Sequence, residues 1–252
     1  MGRGRKEGSM NNKEIRACIE EIGIIPSIRV SSAADARFAA ESVFRGGIPI
    51  VEISMVVPEA IHVISDLVKH APKMIVGAGG ILDKKTAQQC LDSGVNFLTT
   101  DALDVEVVEF AAKESLTVLP GALTPTEVLT AWKAGADFVK IVPCAQMGGA
   151  GYIKALKAPF PQIPLIAAGG VNQQTATGFI LAGAAALGIG GELIPWESIA
   201  LRQSGRIGEL CRRFLNFVAT GRREIAERIP AASVLVESKQ MDRSLVIQGD
   251  YF

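Results

Sequence analysis

Short apolar runs rich in β-branched residues recur along the chain, alternating with longer stretches whose apolar positions repeat at helical spacing. The runs are residues 24–30, 49–54, 74–79, 96–100, 116–121, 137–143, 164–170 and 185–191, and each reads as a parallel strand buried on both faces. Helices are expected between them, over residues 33–45, 58–70, 84–93, 105–114, 126–133 and 173–181. Asp, Pro or Thr stands near several of the starts, and Gly46, Gly94, Gly135 and Gly183 stand at stops.

Strand and helix alternating eight times with short connections predict an α/β protein of one domain, a closed (β/α)8 or TIM barrel. An open doubly wound sheet that binds a dinucleotide would need a glycine-rich turn after the first strand, and Val30-Ser31-Ser32-Ala33 offers none. Beyond Trp196 a further helix is expected over residues 205–220, followed by a polar tail over 237–252. The expected division is a disordered leader or tag over 1–10, the barrel over 11–222 and a C-terminal extension over 223–252.

Composition narrows the partner. Lys plus Arg (26) equals Asp plus Glu (26), which argues against a nucleic-acid groove or an acidic membrane surface and for a small metabolite. Cys18, Cys90, Cys144 and Cys211 are far apart with no CxxC pair, so neither a zinc cluster nor a disulfide framework is expected, and a reducing cytoplasm is the simplest setting. Cys144 reads as a small buried hydrophobe, there being no histidine near it in sequence. No apolar run reaches the length of a membrane span.

Barrel enzymes carry their working groups at the C-terminal ends of strands, so a charged side chain inside an apolar strand marks candidate chemistry. Arg29, Glu52 and Lys140 are such residues. Lys140 lies in Phe138-Val139-Lys140-Ile141-Val142-Pro143, where an ammonium must pair with a carboxylate or be desolvated to the neutral amine that attacks a ketone. Glu52, in Val51-Glu52-Ile53-Ser54, is placed to shuttle protons, and the two are expected to face each other across the barrel mouth. A structural ion pair between them is the alternative. Thr99, Thr100, Gln146 and Met147 are candidate linings of an aldehyde pocket.

Six segments, in order, carry a resemblance: GGIPIVEISMVVPEA from Gly46, VGAGGILD from Val76, LPGALTPTE from Leu119, VKIVPCAQMGG from Val139, APFPQIPLIAAGGV from Ala158 and GIGG from Gly188. From Glu14 to about Pro195 the chain resembles the 2-keto-3-deoxy-6-phosphogluconate (KDPG) and 4-hydroxy-2-oxoglutarate (KHG) aldolases. The resemblance implies a class I aldolase that releases pyruvate through an imine on Lys140, with Glu52 as general acid and base. It further implies that Arg29 receives the substrate carboxylate, and that Gly79, Gly80, Pro120, Gly169, Gly170, Gly190 and Gly191 line the substrate site. A homotrimer with no metal and no organic cofactor belongs to the same expectation.

The chain departs from the family pattern at several of these places. Gly80 replaces a threonine that helps hold the pyruvate carboxylate, and Val56 stands where many members have a second arginine. The paired glycines 169–170 and 190–191 sit where barrels bind phosphate, on backbone N–H groups and a helix N-terminus. There Ala168 and Gly191 replace a threonine and a serine, and Glu192 brings a negative charge that disfavours phosphate. Phosphorylated and unphosphorylated substrates both stay open, as do a barrel isomerase or synthase without an imine and a barrel that has lost catalysis.

Overall fold

The computed structural model describes residues 10–245, with side chains through residue 228. Its strands are β1 (Ile24–Ile28), β2 (Ile50–Ser54), β3 (Ile75–Gly79), β4 (Phe97–Thr99), β5 (Thr117–Leu119), β6 (Gly121–Ala122), β7 (Val139–Ile141), β8 (Leu165–Ala168) and β9 (Ala184–Ile189). They pair in the order β5-β4-β3-β2-β1-β9-β8-β7-β6, with parallel pairing throughout. Because β5 and β6 are consecutive pieces of one run, the two ends of that order join through Pro120, and the expected eight-stranded barrel results with its fifth strand in two parts.

Pro120 causes the break, since it has no N–H to give the ladder. The ladder from β4 ends as Thr100 N–H meets the Leu119 carbonyl at 3.4 Å, and Gly121 N–H turns instead to Thr100 Oγ1 at 2.9 Å. β3 turns Gly77 and Gly79 to the barrel interior, one on each pleat. A Cβ at Gly77 would lie 2.2 Å from the Phe97 ring, and one at Gly79 would lie 2.2 Å from Glu52 Oε1. Strand three thus gives up side-chain volume so that a fully buried aromatic and a carboxylate can fill the same space.

Helices α2 (Ala33–Arg45), α3 (Ala60–His70), α4 (Lys84–Ser93), α5 (Val105–Lys113), α6 (Pro125–Lys133) and α8 (Ala176–Leu181) lie at the expected places. Three more lie outside the expected set, the short α9 (Trp196–Ala200) and two longer ones. α1 (Asn12–Ile22) starts with a capping box between Asn11 and Glu14 and ends at Gly23 in the left-handed region, and α7 (Ala150–Lys157) joins β7 to β8. Thr117 Oγ1 donates to Asn12 Oδ1 at 2.6 Å and Arg16 meets Asp137 at 3.5 Å, so α1 covers the end of the barrel where strands begin.

After the short α9 (Trp196–Ala200), α10 runs over Ser204–Leu245, well past the expected stop at residue 220. Part of the expected polar tail is therefore helix; residues 1–9 and 246–252 lie outside the described residues. Gly221 stands one residue past the expected end. It sits inside the helix because a Cβ there would come within 2.9 Å of the Ile180 side chain, so α10 and α8 pack backbone to side chain. Gly46 works the same way: it ends α2 in an ordinary right-handed conformation, and a Cβ would lie 2.8 Å from Cys211 Cβ of α10. Arg222 then ties α10 to the C-terminus of α1 by donating to the carbonyls of Glu20 and Glu21.

Candidate active site

Glu52 lies in the middle of β2 and is 3% exposed. Ser27, its register partner on β1, donates from Oγ to Oε1 at 2.7 Å, and Thr99 at the end of β4 donates from Oγ1 to Oε2 at 2.7 Å. Each oxygen has a hydroxyl partner, which satisfies a carboxylate in an apolar strand and fixes its orientation. Gly79 completes the seat by leaving the space that a Cβ would fill.

Lys140, 6% exposed, lies on β7 between Gly121 of β6 and Ile166 of β8, and its N–H donates to the Pro120 carbonyl at 2.8 Å. Its ammonium does not pair with Glu52. Nζ meets Asp101 Oδ1 at 2.8 Å, while the exposed Arg29, one residue beyond the end of β1, donates from Nη2 to Asp101 Oδ2 at 2.9 Å. Asp101 bridges two cations, one from each side of the barrel mouth. The expected contact across the mouth is replaced by two links from the end of β4 and the turn after it, Thr99 to Glu52 and Asp101 to Lys140.

Asp101 is the residue that sequence reasoning missed. A charged residue inside an apolar strand stands out, whereas Asp101 lies two positions past β4, in a polar Thr-Thr-Asp turn that looks like a connection. Its backbone is held tightly. Thr100 Oγ1 donates to the Ala102 carbonyl at 2.5 Å while accepting Gly121 N–H, and a Cβ at Gly121 would lie 2.5 Å from the Asp101 carbonyl carbon. Glycine at 121 is what lets the strand-four turn reach the lysine. Burial pushes the Asp101 carboxyl up, but Lys140 and then Arg29 outweigh it and hold it below the ordinary carboxylate range.

The glycine pairs after β8 and β9 form a second region. Gly169, Gly170, Val171, Asn172, Gly188, Gly190, Gly191 and Glu192 line an open cleft of about 380 Å³ with no lysine or arginine in its wall. The expected helix N-termini do not follow the glycines directly. α8 begins only at Ala176, after a turn in which Thr175 Oγ1 donates to the Gly170 carbonyl at 3.1 Å. After β9 the N–H groups of Leu193 and Ile194 both bend back to the Gly190 carbonyl at 3.0 Å, and α9 starts at Trp196.

Gly169 and Gly170 have φ of 78° and 84°, and a Cβ on Gly170 would lie 2.1 Å from Ala145 Cβ. The first pair is therefore needed for close packing whatever it binds. Thr99 and Thr100 are engaged with Glu52 and with the Asp101 turn, Gln146 and the exposed Met147 lie in the 3-10 turn after β7, and Gly80 is left-handed at φ 73° beside Ser54. Cys144 is fully buried and burial pushes its thiol up to about 11, the state of an inert cysteine. Among the described residues no three His, Cys, Asp or Glu side chains group as metal ligands, and no helix is long and apolar enough to cross a membrane.

A family profile for KDPG and KHG aldolases matches residues 15–210. The chain belongs to the KDPG and KHG aldolase family. Among curated relatives it is 30% identical over 152 residues to the 2-dehydro-3-deoxy-phosphogluconate aldolase of Pseudomonas aeruginosa, covering 60% of this chain and 69% of that protein. It is 35% identical over 154 residues to the 2-dehydro-3-deoxy-6-phosphogalactonate aldolase of Escherichia coli, covering 60% and 75%. Among solved structures it is similar to a KDPG aldolase from Legionella pneumophila with pyruvate captured as a covalent carbinolamine, at TM-score 0.72 and 27% identity, covering 78% of this chain and 95% of that one.

Proposed function

We propose that this chain is a class I aldolase that cleaves a 2-keto-3-deoxy sugar acid, or 4-hydroxy-2-oxoglutarate, to pyruvate and an aldehyde through an imine on Lys140. The observation that carries the reading is Lys140 itself: an amine only 6% exposed, on a barrel strand, aimed at a carboxylate at the mouth. Lys140 attacks C2 of the keto acid, and loss of water leaves an imine that serves as electron sink. Glu52, held by Ser27 and Thr99, takes the proton from the C4 hydroxyl as the C3–C4 bond breaks and its electrons flow into the imine. The aldehyde leaves, the enamine takes a proton at C3, and hydrolysis returns pyruvate and the free lysine.

In this reading Arg29 holds the substrate carboxylate, with Val56 in place of any second arginine, and Gly79, Gly80 and Pro120 shape the pyruvate half of the site. Gly169, Gly170, Gly190 and Gly191 receive the aldehyde half. A cleft wall with Glu192 and no cation supports an uncharged, hydroxylated tail over a phosphorylated one. We also assign the chain a homotrimeric assembly, which the exposed Val56 (72%) and Leu82 (73%) on neighbouring loops after β2 and β3 support. The barrel over 11–222 and an extension over 223–252 remain the proposed division, with α10 spanning the boundary.

Incubation with pyruvate and sodium borohydride, followed by peptide mass mapping, tests the mechanism. A reduced pyruvyl adduct on Lys140, absent from Lys140→Ala, is the expected result. Folded protein that yields no adduct at saturating pyruvate would overturn the imine reading.

A further inference from the structure

Resting on the imine reading above, the geometry points to a role for Asp101 that the aldolase chemistry alone does not require. We infer that Asp101 makes imine formation conditional on a carboxylate in the substrate, so that it sets the selectivity of the site for keto acids over plain ketones.

Three observations carry this. Asp101 is the carboxylate bound to both cations of the mouth, 2.8 Å from Lys140 Nζ and 2.9 Å from Arg29 Nη2. Its backbone is pinned by Thr100 and by the close approach of Gly121, while its side chain is 41% exposed and free to answer a ligand. Glu52 has both oxygens engaged by Ser27 and Thr99, so the carboxylate in hydrogen-bond contact with the amine is Asp101.

Asp101 thus occupies the place at Arg29 that the proposed function gives to a substrate carboxylate. A keto acid that docks there takes Arg29 away from Asp101 and sets a second anion beside it. Both changes favour the neutral acid, and the nearest proton is on Lys140. The step balances without outside help. One proton passes from Nζ to Asp101 Oδ1, leaving an amine whose lone pair forms the N–C2 bond. The carbonyl π electrons move to the oxygen, which takes the proton from Asp101 to give the carbinolamine, and net charge is unchanged. A ketone without a carboxylate leaves the Arg29–Asp101–Lys140 bridge intact, and the amine stays engaged.

The test compares borohydride trapping of pyruvate and of propanone by wild type, Asp101→Asn and Asp101→Ser, with melting temperature and circular dichroism to confirm folding. The wild type is expected to trap pyruvate strongly and propanone poorly. In the variants the ratio of the two trapping rates is expected to fall about tenfold or more, because a ligand biases an equilibrium only through its differential interaction with the two states and the state it acts on is gone. Asp101→Ser guards against an asparagine that still bridges the two cations through its amide oxygen.

A ratio that stays at the wild-type value in folded variants would overturn the inference, whatever happens to the absolute rates, since a merely structural role slows both probes alike. Variants that trap neither probe would overturn it too, by showing that Asp101 is needed for the amine itself. Wild-type protein that traps no pyruvate would instead sink the imine reading on which this one rests.

Discussion

The barrel mouth has two unlike halves. On the side of β1, β2, β4 and β7, every polar group has a named partner: Glu52 with Ser27 and Thr99, Lys140 and Arg29 with Asp101. On the side of β8 and β9 the wall is mostly glycine backbone, with Val171, Asn172 and one exposed carboxylate, Glu192, around an open volume of about 380 Å³. The first half is preorganised around one reaction, and the orientation it imposes before substrate arrives is where catalytic power comes from. The second half has little with which to select a particular tail. In the proposed function the reaction and the choice of aldehyde thus fall to different strands, and changes on one side should move quantities that changes on the other leave alone.

The largest effects belong to the ordered half. Lys140→Ala should lower turnover by at least about 10⁴-fold, since it removes the amine that forms the imine, and it should lose pyruvate trapping altogether. Glu52→Gln should cost about 10²- to 10⁴-fold in turnover while pyruvate is still trapped on Lys140, because the proton transfers it serves follow imine formation. Trapping separates the two where deuterium exchange at C3 of pyruvate does not: both variants should lose the exchange, and the lysine variant alone should lose the adduct. An Glu52→Gln protein with wild-type exchange would break the assignment of the carbon steps to this carboxylate.

Gly79→Ala reaches the same half without touching a charged group. Its new Cβ would sit 2.2 Å from Glu52 Oε1 and 2.5 Å from its carboxyl carbon, so the carboxylate must leave the hydroxyls of Ser27 and Thr99. Displacement of an ångström or so from working geometry costs about 10²-fold. Turnover should fall by that order with pyruvate trapping retained, and wild-type turnover would show that the orientation of Glu52 is not what the hydroxyls provide.

The glycine half should respond in specificity instead. In the condensation direction, with pyruvate as donor, an unphosphorylated aldehyde is expected to be preferred over its phosphorylated counterpart by kcat/KM. Glu192→Gln should raise kcat/KM for the phosphorylated aldehyde about tenfold by removing one repulsive charge, and leave pyruvate trapping unchanged. A strong preference for the phosphorylated aldehyde in the wild type would show that backbone N–H groups alone overcome Glu192.

The contrast between the halves also explains what could be read without coordinates. Lys140 and Glu52 were legible because a charge inside a buried strand is costly and so conspicuous. Arg29 was legible for the same reason, although it lies just past its strand. Asp101 was not, because its significance comes from contact with a residue 39 positions away, and an aspartate in a polar turn has no local mark to distinguish it from an ordinary connection. Ser27 was hidden in the same way, and Thr99 was legible only as a lining of the aldehyde pocket and not as a partner of Glu52, small hydroxyls in strands having many uses. For the fold, strand and helix periods placed the barrel well, and the misses are α1, α7, α9 and the end of α10. Gly221, one residue past the expected end, is a packing contact inside that helix, and the close approach of Gly169 and Gly170 to Pro143 and Ala145 is a packing demand that no local pattern announces.

The smallest expected effect comes from acid. Asp101 is held below the ordinary carboxylate range in the folded protein, so its pairs with Lys140 and Arg29 contribute stability that is fully present above the unfolded-state value and is lost as pH falls through the lowered folded value. The contribution should be at most about 1 kcal/mol, since the Asp101 side chain is 41% exposed and solvent screens both pairs. Urea unfolding at a series of pH values, for wild type and Asp101→Asn, measures it. The two stability curves should lie apart near neutrality and converge below the carboxylate range, with the variant less dependent on pH. Curves that stay parallel down to strong acid would mean that the bridge adds nothing to the folded state, and that the order of this half of the mouth is maintained by Ser27, Thr99 and the glycines of β3 alone.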